Sequence, residues 1–173
     1  FYFVNDSGST ELVHLVDNLY QSKIESTFTK FFKEADDSWL VVEKNGMSLT
    51  FGKDAQSREL GSGGTFTWYV SEAFDTNGNY LTYHYSQDQG KSYIDYIEYT
   101  GNQNTGASPA NRVEFYLEGR DDVSSTYISG QMITTAKRLC EIQVKQTGAL
   151  VWRYELGYEY SPDTDRSLLR TIT

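Results

Sequence analysis

The chain has 173 residues, of which 38% are hydrophobic and 15% aromatic, and its formal net charge is −9. That length suits a single domain able to bury a real core. The charge argues against nucleic-acid binding, which needs clustered Lys and Arg; here Arg112, Arg120, Arg138, Arg153 and Arg170 form no run. No apolar stretch approaches the roughly 18 residues of a membrane-spanning helix.

The opening "FYFV" has no Met and no signal peptide ahead of it, and it reads as a strand already under way. The expectation is one all-β domain over residues 1–173 that forms a segment of a much larger protein. Strands follow at "ELVHLVD" (11–17) and "IESTFTKFFK" (24–33), although the Phe spacing in "STFTKFFKEADD" also allows a helical turn. "WLVVEKNGMSLTFG" reads as two short strands around Asn45-Gly46, a dipeptide suited to the positive φ angles of a tight hairpin. The polar, Gly-rich stretch 52–64 reads as a loop. "TWYVSEAFDTNGNYLTYHYS" repeats the hairpin pattern with Asn77-Gly78 as its turn, and "KSYIDYIEYTG" continues it.

A polar loop is expected over 100–111, then "RVEFYLE" with Val113, Phe115 and Leu117 on one face. "TTAKRLCEIQVK" (134–145) is a further strand. In "VWRYELGYEY", Trp152, Tyr154, Leu156, Tyr158 and Tyr160 share one face, the period-two pattern of a long half-buried strand. A turn at 161–166 leads to "SLLRTI" (167–172). No stretch carries a sustained helical stripe. The fold class expected is all-β, an antiparallel sandwich or a partly open barrel-like sheet of about ten to twelve strands. With aromatics so abundant, the core must be built largely from Tyr, Phe and Trp, and buried Tyr hydroxyls need partners.

The residues that carry chemistry elsewhere are weakly placed here. Cys140, the only cysteine, lies in "RLCEIQV", a strand setting, and reads as structural. Asp75-Thr76-Asn77-Gly78-Asn79 resembles the start of a calcium loop, but the chain enters a strand at once and the later bidentate Glu is missing. His14 and His84 are distant from one another and have no acidic partner at a recognisable spacing. The pairs Asp36-Asp37, Asp121-Asp122 and Asp163/Asp165 lie in turn-like sequence rather than across a cleft. "GSGG" lacks the Lys-Ser or Lys-Thr of a phosphate loop. No catalytic residue, metal site or cofactor is therefore expected. Trp39, Trp68 and Trp152 are candidates for an aromatic sugar-stacking surface, although alternating aromatics on strands more often serve as core.

Several stretches, in order, resemble one family: "YQSKIESTFTKF", "WLVVEKNGMSLTFG", "TWYVSEAFDTNGNYLTYHY", "YIDYIEYTGN", "RVEFYLEGRDD", "YISGQMITTAKRLCEIQV" and "VWRYELGYEYSPDTDRSLLRTI". The series is similar to the N-terminal region of SpvB-type virulence proteins and of the B component of Tc insecticidal toxins, relatives of Rhs/YD-repeat proteins. The resemblance covers nearly all of residues 20–173. It implies a non-catalytic, all-β structural or interaction segment of a large secreted or surface-delivered bacterial protein. Its partners would be other domains of the parent chain or a toxin-complex protein. The ADP-ribosyltransferase of such proteins is a separate C-terminal domain whose motif is absent here. Residues matching the family pattern, among them Trp39, Gly46, Trp68, Asp75, Gly78, Arg120, Arg138, Tyr154 and Ser167, read as fold-defining. The rival reading is a carbohydrate-binding or adhesion module, which calls for coplanar exposed aromatics. An enzyme calls for a deep pocket, and the scaffold reading expects none but leaves an apolar face or a sheet edge uncovered.

Overall fold

The structure, a computed structural model, describes residues 1–173 and is all-β. Nine short strands come first: β1 (Tyr2–Asn5), β2 (Gly8–Val16), β3 (Leu19–Ser22), β4 (Lys30–Lys33), β5 (Trp39–Val42), β6 (Ser48–Phe51), β7 (Arg58–Gly61), β8 (Gly64–Trp68) and β9 (Val70–Phe74). Six mostly longer ones follow: β10 (Asn79–Asp88), β11 (Lys91–Asn102), β12 (Asn111–Ile128), β13 (Gln131–Gln146), β14 (Ala149–Tyr160) and β15 (Ser167–Ile172). Thirteen of them form one antiparallel sheet in near-sequential order, with β6 pairing directly to β9; β7 and β8 form a separate hairpin. The sheet stays open and does not close into a barrel. Fifteen strands exceed the ten to twelve expected.

The core sits in the short-strand half. Leu12, Phe31, Trp39 and Val41 are buried, with Phe3, Tyr20, Leu49, Phe51 and Trp68 packed around them. The first strand folds back over this face, bringing Phe1 edge-on to Trp39 at 4.9 Å and Phe3 to Phe31 at 5.0 Å between ring centroids. The aromatic core anticipated from composition is thus real, and the half-buried Tyr85 and Tyr93 hydroxyls find partners. Tyr85 donates to the Val70 carbonyl at 2.7 Å, and Tyr93 accepts from the amides of Ala136 and Lys137.

Three local expectations change. Residues 24–29 are not strand; only Lys30–Lys33 is. The Glu25 carboxylate accepts from the amides of Thr27 (3.0 Å) and Phe28 (2.6 Å), and Phe28 sits at φ +58°, so a local side-chain brace replaces the ladder. Conversely, the polar stretch 52–64 contains β7. Its Glu59 is buried, and its Oε1 accepts from Lys91 Nζ (2.9 Å), Tyr69 OH (2.8 Å) and the Ser92 amide (3.1 Å). A buried carboxylate is tolerable only with such partners. β3, between the two strands expected at 11–17 and 24–33, was not anticipated.

The two Asn-Gly turns also differ from a two-residue hairpin. Gly46 (φ +86°) and Gly78 (φ +79°) hold the left-handed positions, but Asn45 and Asn77 do not have positive φ. Each loop is one residue longer, closed by Gly46 N to Glu43 O (2.9 Å) and by Gly78 N to Asp75 O (3.2 Å). Asn45 Oδ1 instead accepts from the Met47 amide at 2.8 Å. In the second turn, Asp75 does the equivalent work for the amides of Asn77 and Asn79.

Candidate interaction surface

The long-strand half builds two unlike faces from simple alternation. Directly opposed residues share a face, and the register gives one row of Tyr83, Ile97, Val113, Val144 and Trp152 across β10–β14. A second row, Phe115, Ile142 and Tyr154, lies two residues along. No second layer of strands packs on these rows. Val113, Phe115, Ile142 and Val144 are only half-buried, while Trp152 is 63% and Tyr154 43% exposed. The strand expected to be half-buried over 151–160 is β14, and it is exposed from Ala149 to Glu155.

The opposite face is charged. His84, Tyr96, Glu114, Gln143 and Arg153 form one row, and Thr82, Glu98, Arg112 and Lys145 the next. Arg112 lies over the Tyr96 ring at 4.2 Å and donates to Glu98 at 2.6 Å, while Lys145 donates to Glu114 at 2.6 Å. The hydrogen bond from Lys145 holds the Glu114 carboxyl below its ordinary range. A sheet with one face charged and the other apolar normally buries the apolar side against something.

A polar clamp fixes the outer edge of this half. The β12–β13 ladder runs to Gly119–Lys137 and resumes at Ser124–Thr135, so residues 120–123 bulge outward. Arg120 donates twice to the Asp122 carboxylate (2.8 and 2.6 Å), and Asp122 accepts from the Ser167 amide at 2.9 Å. The bulge thereby grips the start of β15. The Arg120 hydrogen bonds, with help from Ser167, hold the Asp122 carboxyl far below the usual carboxylate range. Beside it, Arg138 bonds Glu118 (2.7 Å) and lies over the Tyr158 ring at 4.3 Å. The sequence alone pointed to Arg120, Arg138 and Ser167 individually, not to this network.

The other sequence-derived candidates separate. Trp39 and Trp68 are neighbours, their rings 6.2 Å apart at 84°, with Trp39 in the core and Trp68 donating to the Asp37 carbonyl at 2.6 Å. Trp152 belongs to the other half, on the apolar face. His84 does have an acidic neighbour, Glu98 at 3.4 Å across the strands, as well as Thr82 at 3.1 Å. Both partners address the same ring nitrogen, Nε2, whereas a nucleophile–base–acid relay needs one on each side of the imidazole. Asp75 spends its carboxylate on two amides and on Asn79 Nδ2 (2.7 Å), which braces the turn. The Cys140 thiol is pushed up by burial and donates to the Tyr116 carbonyl. No group of three or more His, Cys, Asp or Glu converges as a metal set would. No helix is long and apolar enough to cross a membrane. Two clefts of about 650 Å³ flank β1, one apolar and one polar, where a pocketless scaffold had been expected.

Residues 4–118 match the family described as SpvB, Salmonella virulence plasmid 65kDa B protein. The Mono(ADP-ribosyl)transferase SpvB of Salmonella typhimurium is 24% identical over 151 residues, covering 82% of this chain and 22% of that protein. The chain thus spans about a fifth of the length of the curated relatives it matches. The N-terminal domain of effector protein SpvB from Salmonella typhimurium strain LT2 superposes with a TM-score of 0.75 at 19% identity, covering 95% of this chain and 69% of that one. The TcdB2-TccC3 crystal structure gives 0.73 at 15% identity over 99% of this chain and 13% of that one. The Photorhabdus luminescens Tc holotoxin pore gives 0.73 at 17% identity over 89% and 10%. These structures share the fold.

Proposed function

The chain belongs to the SpvB family, and on that premise we propose that residues 1–173 act as one non-catalytic structural and interaction domain of a larger secreted or surface-delivered, toxin-like bacterial protein. The observation that carries this reading is the pair of apolar rows ending on Trp152 and Tyr154, with no layer packed on them. Leaving that much aligned apolar surface in water is unfavourable by roughly 25 cal/mol per Å². The occupant we assign is another part of the same polypeptide, because relatives carry about four-fifths of their length outside the matched region. A toxin-complex partner is the alternative occupant. The turn-bound Asp75 and the one-sided contacts of His84 support a domain without catalytic machinery.

The test is to replace Trp152 and Tyr154 by Glu in the full-length gene product. The expected result is a more expanded particle by small-angle scattering and faster limited proteolysis, with the circular dichroism of residues 1–173 unchanged. A full-length variant as compact and protease-resistant as the parent would overturn the reading. Loss of glycan adhesion on replacing Trp152 alone, with compactness intact, would move the assignment to the aromatic adhesion module.

A further inference from the structure

The short-strand half carries an independent signal in its polar cleft of about 650 Å³, which lies beside β1, β3 and the β5–β6 turn. The register places Thr10 opposite Phe3, and Ser22 opposite Leu12, so both hydroxyls point to the same inner face as the aromatic core. Phe3 and Phe31 line this cleft and the apolar one alike. The inner face therefore changes character along its length, from packed rings to hydroxyls, at positions where a strand pattern calls for apolar residues. Polar residues at core-facing positions cost stability unless they are hydrogen-bonded, within the protein or to a ligand. Ser22 is 5% exposed, yet its hydroxyl takes no protein partner and instead lines the cleft. The Thr29 hydroxyl, also buried, bonds only to the Thr27 hydroxyl at 2.9 Å.

We infer that this cleft binds a neutral saccharide. Hydroxyls both donate and accept, which matches sugar hydroxyls one for one. The half-buried Phe3 ring offers an apolar surface for the C–H face of a pyranose. At the mouth, Glu43 and Lys44 give one negative and one positive charge, so the site carries no net attraction for an anion. The volume falls within the range of small-molecule sites, about 300–1,000 Å³. The site is remote from Trp152 and owes nothing to the docking face.

The chain is titrated with glucose, galactose, mannose, N-acetylglucosamine and their disaccharides while backbone amide shifts are followed. At least one sugar is expected to move the amides around Thr10, Ser22 and Thr29 selectively. Ser22→Val and Thr10→Val should each weaken it about tenfold, the effect of one lost hydrogen bond. Inorganic phosphate should leave these amides unmoved, and Trp152→Ala should not change the affinity. Should Ser22→Val fail to fold, Thr10→Val at the half-buried β2 position must still weaken binding while preserving the unliganded spectrum. A glycoprotein tested before and after deglycosylation tells a displayed glycan from a free oligosaccharide. The inference is overturned if no sugar moves these amides, if the cleft variants bind as tightly as the parent, or if phosphate competes.

Discussion

Phe31 in β4 and Ile142 in β13 both point to the apolar side of one continuous sheet, yet Phe31 is 1% exposed and Ile142 is only half-buried. The difference lies in what stands opposite. In the short-strand half, β1 returns over the sheet, and Phe1, Phe3 and Trp68 close on Trp39, Phe31 and Phe51. In the long-strand half, β12–β14 extend for 18, 16 and 12 residues with no second layer of strands over their apolar rows. Leu12, Phe31, Trp39 and Val41 pack as a core of their own, and of the long strands only Ile133 contributes a buried apolar side chain. Alternation in a sequence marks a face meant for burial; it does not say which part of the protein does the burying.

The sharpest way to break the comparison is to truncate the two residues that opened it. Phe31→Ala should cost about 3–5 kcal/mol, the usual range for a buried Phe, and Ile142→Ala about 1 kcal/mol, because its neighbours are already half in water. Urea unfolding of the isolated chain measures both, and equal losses would show that the halves do not differ. Next in size is Gly78→Val. Its positive φ alone costs about 1–2 kcal/mol in a residue with a Cβ, and that Cβ would stand 2.7 Å from the Asn104 amide nitrogen, so the loop must shift as well. A melting temperature equal to the parent's would refute the turn assignment.

A smaller and more local effect is expected at the β12 bulge. Asp122→Asn should speed amide exchange across β15 while leaving the exchange of β4 and β5 unchanged. The same clamp has a pH signature. The Arg120 and Ser167 hydrogen bonds depress the folded Asp122 pKa, and an unfolded Asp titrates near about 3.9. Its contribution is thus complete above that value and is lost only as pH falls further. Protection of β15 should stay level from neutral pH to about pH 5; a decline within that span would argue against the depressed carboxyl. The smallest effect belongs to Trp152→Ser in the isolated chain, a change within about 0.5 kcal/mol, as for an exposed position.

The fold class was legible because period-two alternation pervades the chain and no helical stripe competes with it. The apolar face was legible too, residue by residue: Val113, Phe115, Trp152 and Tyr154 were read as one-sided, and the register lines them up. Where the reading slipped, side chains were acting on backbone. Glu25 braces residues 27 and 28 out of a strand, and Asn45 serves as an acceptor rather than taking a positive φ. β7 was hidden because its buried Glu59 looks like loop sequence until Tyr69, ten residues along the chain, and Lys91, farther still, are seen to bond it. Likewise Ser22 and Thr10 are unremarkable in sequence; only the pairing with Leu12 and Phe3 turns them inward.

The central claim, that the long-strand half is completed by another part of the same polypeptide, is tested most directly by hydroxyl-radical footprinting of Trp152 in residues 1–173 alone and in the full-length gene product. The account predicts rapid oxidation of Trp152 in the isolated chain and strong protection in the full-length product, with Trp39 protected in both. Equal, rapid oxidation of Trp152 in the two would contradict it.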